Sequence, residues 1–315
     1  MKIRILQYII RKSIKNKVKK FKKLLKQGYT NIVLHIQVAK EYVNRDNIIQ
    51  SDTDLGNNIR LYYWKYGLEE NQQEIDSENL GDYLSYVVVK HLLSHKKIVN
   101  QQIKSKTIYA IGSIIGFRCQ NAVVWGSGIL HPYKEYKLKA KLSLLDIRAV
   151  RGPKTREELI KLNKKCPEVY GDPAILMPYV FNPSKVKKIY DVTIIFNYYY
   201  NNFDIPQDKN INFLDIITTD YQDFITQIVQ SKLVISSSLH GIILAETYGV
   251  PAVLLIEKYQ SKFKYEDWYY STGRYNIKMA DTIQEALELE PMILPDLKEM
   301  QQNLIKAFPL DIWDN

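Results

Sequence analysis

The sequence predicts an α/β fold built on parallel sheets, and three observations carry that expectation. Short apolar β-type runs alternate with stretches of helical periodicity along most of the chain, which is the pattern of βαβ units. With 315 residues and 46% hydrophobic composition, the chain is long enough for two domains with substantial cores. The breaks between runs collect Gly, Pro, Asn, Asp and Ser, the residues that tight turns require.

The elements follow in chain order. Residues 1–26 hold eleven Lys or Arg and no acidic residue, and Ile3, Leu6, Ile10, Ile14, Val18, Phe21 and Leu25 recur at three- and four-residue steps. That spacing places one apolar stripe among lysines, so a basic amphipathic helix is expected over 1–28. Such a helix either lies on an anionic membrane surface or docks on its own domain by the stripe. Nucleic acid is not an expected partner, because the basic run lacks a recognisable reading module. An N-terminal α/β domain is expected over 29–180, with strands at Ile32–Val38, Thr107–Ile111, Ala122–Trp125 and Ile147–Val150. Helices are expected over Gly81–Leu93 and from Pro153, a residue suited to a first helical turn. Asp46–Asn58 reads as a polar loop, and Met177–Lys188, with Pro178 and Pro183, reads as the linker. A C-terminal α/β domain over 190–295 would use Val192–Phe196, Ile211–Ile217, Leu233–Ile235 and Ala252–Ile256 as strands, before a helix or tail over 296–315.

Several function classes are excluded at this stage. The sequence has no apolar run of the roughly 18 residues needed to span a bilayer, and charges interrupt the N-terminal apolar residues, unlike a signal peptide. Cys119 and Cys166 are the only cysteines and lie far apart, so neither a zinc site nor a disulfide framework is expected, and a reducing cytoplasm is the natural setting. No metal is expected: the only Asp-x-Asp is Asp52-Thr53-Asp54, in the polar stretch.

Residues 233–256, LVISSSLHGIILAETYGVPAVLLI, are the most informative part of the chain. They read as strand, serine-rich turn, helix and strand, with His240 at the turn and Gly249 and Pro251 closing the helix. Ligands of open α/β sheets bind beside strand carboxyl ends, where helix N-termini offer free N–H groups to anions. His240 therefore either works on a phosphorylated ligand, or caps the helix or bonds a buried backbone group.

The run Ser-x-x-Leu-His-Gly-x-x-x-Ala-x-x-x-Gly-x-Pro resembles the C-terminal signature of the polysaccharide pyruvyl transferases. Four other segments occur in that family's order: Glu78-Asn79-Leu80-Gly81-Asp82, Trp125-Gly126-Ser127-Gly128, Val150-Arg151-Gly152-Pro153-Lys154-Thr155-Arg156 and Tyr170-Gly171-Asp172-Pro173-Ala174. A fifth, Phe263-Lys264-Tyr265-Glu266-Asp267-Trp268-Tyr269, is similar to a stretch of some members. This chain has Ser238 where many members carry arginine. The resemblance implies two Rossmann-like domains facing a cleft, a glycosyltransferase-B-like arrangement. It implies transfer of pyruvyl from phosphoenolpyruvate, a donor substrate rather than a cofactor, onto a sugar of a cell-surface polysaccharide or its lipid-linked precursor, as a ketal. The alternative is a nucleotide-sugar glycosyltransferase of the same fold, since fold does not fix chemistry.

The residues expected to act follow from the chemistry. Phosphoenolpyruvate carries a carboxylate and a phosphate, which guanidinium groups and free N–H groups clamp. Arg151, between a strand end and a helix start, is the leading candidate and Arg148 the alternative. His240 would deliver the proton that makes C2 electrophilic, and the resemblance raises Lys264 as a counter-charge. Ser237, Ser238, Leu239 and Gly241 would surround the donor. Gly126, Ser127 and Gly128 would allow close backbone approach to a ligand, or form turn chemistry alone. Asp82 would cap its helix or touch the acceptor, Asp172 would lock its turn or face the cleft, and His131 is a second acid or base. The expected place of action is the cytoplasm, peripheral to the inner face of the plasma membrane.

Overall fold

The structure is a computed structural model describing residues 52–55, 59–64, 78–94, 106–115, 122–130, 132, 145–183, 186–197, 210–256 and 261–313. All belong to one compact unit, Ile49–Asn315. The expected helix over 1–28, the strand Ile32–Val38, and His131 lie outside the described residues.

The first sheet has strands β1 (Asp52–Asp54), β2 (Ile59–Tyr62), β3 (Lys106–Tyr109), β4 (Ala122–Trp125) and β5 (Asp146–Ala149), in the order β1-β2-β3-β4-β5. β1 is antiparallel to β2 and the other pairs are parallel. Asp52-Thr53-Asp54 is thus a strand, at the edge of the sheet among the described residues, not the expected loop, pairing with Tyr62, Leu61 and Arg60. Aspartate disfavours strands in general, but a short charged edge strand is tolerated and resists pairing with other chains. All four residues of β4 are buried, as expected for a parallel strand covered on both faces.

The second sheet has β6 (Tyr190–Phe196), β7 (Ile211–Asp215), β8 (Ser231–Ser236), β9 (Ala252–Leu255) and β10 (Met279–Ala280), in the order β10-β9-β8-β6-β7. Every pair is parallel. The chain moves from β6 outward to β7 and then returns to place β8 on the other side of β6. The winding direction thus reverses at β6 and β8, and it is beside the carboxyl ends of strands at such a reversal that open α/β sheets bind ligands. Among the described residues the first sheet is consecutive and shows no such reversal.

The helices are α1 (Leu80–Leu93), α2 (Pro153–Lys161), α3 (Met177–Val180), α4 (Tyr221–Val229), α5 (Leu239–Thr247), α6 (Phe263–Ser271), α7 (Ile283–Glu288) and α8 (Lys298–Ala307). Short 3-10 segments cover Pro173–Leu176 and Leu310–Trp313. The expected linker starts too early: Met177–Val180 is helical, because Pro178 occupies a first-turn position that lacks an intrahelical N–H bond in any case.

One hydrophobic cluster joins the sheets. It contains Ile59, Leu61, Ile108, Val123 and Trp125 from the first, Ile195, Val234 and Leu254 from the second, and Ile242 and Ile243 of α5. The C-terminal residues return to the first sheet, where the Trp125 indole N–H donates to the Leu304 carbonyl at 2.8 Å. Phe308 meets the Trp125 ring edge-on at 4.8 Å. The tail expected over 296–315 is therefore part of the first sheet's packing.

Candidate functional site at the end of strand β8

The carboxyl ends of β6 and β8 are joined through serine side chains. Ser236 Oγ donates to the Ile195 carbonyl and accepts from Ser238 N, each at 3.0 Å. Ser237 Oγ accepts from Asn197 N at 2.9 Å, and the Ser237 carbonyl accepts from Asn197 Nδ2 at 3.1 Å and from the Tyr265 hydroxyl at 2.8 Å. The turn between β8 and α5 is thereby pinned to the ends of β6 and α6. Gly241 lets the first turn of α5 rest on β8, since a Cβ there would lie 2.3 Å from Ser236 Oγ. Ser238 is the N-cap of α5 but makes no side-chain cap bond. The helix N-terminus therefore keeps donor capacity for an anion.

His240 stands in this first turn with 12% of its side chain exposed, its Nε2 3.5 Å from Oδ2 of the fully buried Asp172. Asp172 Oδ1 accepts from Ala174 N at 3.0 Å, so the carboxylate both locks its turn and faces the histidine. On another side the ring rests on Gly81, where a Cβ would fall 1.9 Å from Nδ1. Leu80 N donates to the Ile216 carbonyl at 2.8 Å, holding α1 at this point. The N-cap of α1 is Asn79, whose side chain accepts from Gly81 N at 3.0 Å. Capping thus belongs to Asn79, not Asp82, because the helix begins at Leu80 and already includes Asp82 in its first turn. Asp82 lies in the first turn, its Oδ1 close enough to Gly112 to be 3.1 Å from a Cβ placed there.

The anion clamp expected at Arg151 takes a different form. Arg151 is 1% exposed, with Nε donating to Asp267 Oδ2 at 3.1 Å, NH1 to Ser113 Oγ at 2.7 Å and NH2 to the Ile129 carbonyl at 2.8 Å. Asp267, also fully buried, accepts from Thr155 N at 2.8 Å and from Thr155 Oγ1 at 2.6 Å. The N-terminus of α2 and Arg151 do bind an anion, and that anion is a carboxylate of α6. This corrects the expectation: Arg151 latches α6 to the first sheet, and its guanidinium is closed to solvent.

Residues 79–259, more than half of the chain, match the family model described as polysaccharide pyruvyl transferase. The chain belongs to that family. It is 29% identical over 148 residues to uncharacterized protein L143 of Acanthamoeba polyphaga mimivirus, covering 45% of this chain and 50% of the relative. It is 28% identical over 134 residues to the succinoglycan biosynthesis protein ExoV of Rhizobium meliloti (strain 1021), covering 41% of each. These matches span at most half of the relatives' own length. The crystal structure of a functionally uncharacterized Klebsiella pneumoniae protein, KP1_0663, superposes with a TM-score of 0.41 at 14% identity, over 64% of this chain and 87% of that one.

In this pyruvyl transferase family member Asn79, Gly81, Asp82, Arg151, Asp172 and His240 lie inside the matched span, whereas Lys264, Tyr265 and Asp267 lie beyond it. Lys264 holds its ammonium over the Tyr265 ring, 4.8 Å from its centre, and the hydroxyl of that ring fixes Ser237. Arg148 is elsewhere: it pairs with Asp146 and Asp311, both at 2.8 Å, tying β5 to the C-terminal turn. Gly126 and Gly128 serve packing. A Cβ at Gly126, whose φ is +89°, would meet Pro173 Cδ at 2.3 Å, and one at Gly128 would meet the Arg151 guanidinium at 2.4 Å. Close backbone approach is required, but to protein neighbours. Ser127 Oγ donates to the Gly112 carbonyl at 2.9 Å. By seating Pro173, Gly126 helps place Asp172 beside His240. The sequence reading missed Asp267, Asn197 and Tyr265 as organisers of the site. Asp267 and Tyr265 stood within quoted motifs, but nothing in the spacing tied them to Arg151 or Ser237.

Proposed function

We propose that this protein transfers the pyruvyl group of phosphoenolpyruvate onto two hydroxyls of a sugar in a cell-surface polysaccharide or its lipid-linked precursor, forming a ketal. The observation that carries this reading is the uncapped N-terminus of α5 with His240 in its first turn, at the point where the second sheet reverses its winding. Phosphate would take the N–H groups of that turn and the hydroxyl of Ser238, with Lys264 supplying positive charge beside it. His240 would protonate the methylene carbon, turning it into a methyl group and making C2 electrophilic. One sugar hydroxyl adds to C2, a second displaces phosphate, and their two protons end on the methyl carbon, through His240, and on the departing phosphate.

No helix among the described residues is long and apolar enough to cross a membrane. The basic segment over 1–28 supports attachment to the inner face of the plasma membrane, where a lipid-linked acceptor would be met.

The deciding experiment is thermal unfolding with phosphoenolpyruvate, and with a uridine nucleotide as control. A donor at 100 times its Kd stabilises the native state by about 2.7 kcal/mol. Stabilisation by phosphoenolpyruvate alone is expected, with phosphate release on adding a saccharide acceptor and a loss of about 100-fold or more in turnover for His240→Gln. Stabilisation by the uridine nucleotide alone would overturn the reading in favour of glycosyl transfer.

A further inference from the structure

His240 and Asp172 face each other through two atoms that have nothing else to bond. Nε2 of His240 and Oδ2 of Asp172 are both sealed from solvent without a hydrogen-bond partner, 3.5 Å apart. A buried polar atom left unsatisfied is costly, so a small approach that joins the two is favoured. The other Asp172 oxygen is fixed by Ala174 N, and the residue itself is fully buried. Its carboxylate therefore cannot turn away. The imidazole as a whole keeps 12% exposure although Nε2 has essentially none, so its accessible edge lies away from Asp172.

We propose that Asp172 is the positioning residue of His240, holding its hydrogen on Nε2 and leaving Nδ1 as the nitrogen that exchanges a proton with the substrate. The inference rests on the reading of His240 as the proton donor. An ionised carboxylate is acceptor-only, so the neutral ring can satisfy it in one tautomer alone. When His240 takes up a proton, both nitrogens carry hydrogen. The Nε2 hydrogen stays on Asp172 and the Nδ1 hydrogen is the one transferred. Gly81 matters for the same reason, since a side chain there would strike Nδ1 first.

The test begins without any substrate. The full chain with 15N-labelled histidine is examined by NMR at a pH where the ring is neutral, and His240→Gln identifies the His240 signals among the five histidines. The Nε2–H form is expected. In Asp172→Asn the side-chain oxygen continues to accept from Ala174 N, which turns the amide NH2 toward Nε2. That nitrogen must then accept, and the ring is expected to switch to the Nδ1–H form. Turnover of phosphoenolpyruvate should fall by about 100- to 10,000-fold, the scale seen when a catalytic histidine is held in the wrong tautomer, with KM for the donor changed less than threefold. A wild-type ring in the Nδ1–H form, an unchanged tautomer in Asp172→Asn, or a rise in KM with kcat intact would each overturn the proposal. If Asp172→Asn fails to fold, the wild-type tautomer decides alone. A protein that shows the Nε2–H form and the switch yet ignores phosphoenolpyruvate would uphold the pair and overturn the donor assignment.

Discussion

Replacing Gly81 with alanine separates helix energetics from the chemistry of the site. Gly81 is the second residue of α1, and alanine in a helix is favoured over glycine by roughly 0.5–1 kcal/mol. The added Cβ, however, would lie 1.9, 2.4 and 2.6 Å from Nδ1, Cγ and Cε1 of His240. Ordinary contact begins at 3.4 Å, so the nearest ring atom must retreat by about 1.5 Å (3.4 − 1.9). The backbone of α5 cannot give way, because Leu239 and every residue from Gly241 to Glu246 are buried. The ring must leave its rotamer, at about 0.5–1.5 kcal/mol, which offsets the gain in helix propensity. Net stability should therefore change by less than about 1 kcal/mol, whereas a 1 Å misplacement of a reacting group can cost 100-fold in rate. Gly81→Ala should melt near the wild-type temperature and release phosphate from phosphoenolpyruvate at least about 100-fold more slowly. Gly249→Ala is the mirror control. Its Cβ meets nothing within 4 Å, but its φ of +73° strains alanine, so it should lose about 1–2 kcal/mol of stability and keep its turnover. Wild-type turnover in Gly81→Ala would refute the placement of His240 as a reacting group.

Three further outcomes are expected. Asp267→Asn leaves the Arg151 charge buried without its counter-ion and should lower stability by about 3–5 kcal/mol in urea unfolding; a loss under 1 kcal/mol would dissolve the latch. For the same reason Arg151→Lys should show its main effect in the unfolding midpoint and little in donor affinity measured by calorimetry. Burial pushes the Cys166 thiol from 9.0 to about 12, with Arg156 pulling it down and Asp267 pushing it up. In a Cys119→Ser background it should resist iodoacetamide at pH 8 until the protein is unfolded. The folded value is the raised one, so the Cys166 contribution to stability is intact below pH 9.0 and is lost as pH rises toward about 12; rapid native alkylation would contradict this burial. Finally, a chain beginning at Gly28 should no longer sediment with anionic vesicles, while the full chain should bind them less as salt rises. Equal binding by both would place any membrane contact elsewhere.

Much of the fold could be read from neighbouring residues. β4 is legible to the residue and the start of α2 at Pro153 likewise, because a short continuous apolar run and first-turn chemistry are local properties. The Leu-His-Gly turn was found between a strand and a helix for the same reason, and the family follows from the order of the motifs along the chain. Asp52–Asp54 was missed because its strand character comes from pairing with Arg60–Tyr62, not from its own residues.

The sequence by itself determined most of the strands, the family and the residue types gathered around His240. Only the tertiary structure decided what each charged group does. Arg151 and Asp267 are 116 positions apart and meet because α6 packs on α2. Asp172 reaches His240 because Pro173 is seated against Gly126, and Gly81 is glycine because an imidazole from the other sheet occupies the space of its side chain. The reason is physical: periodicity and capping are set by residues within one or two turns. The partner of a buried charge and the space beside a glycine are set by packing between distant segments, and spacing along the chain does not encode that packing.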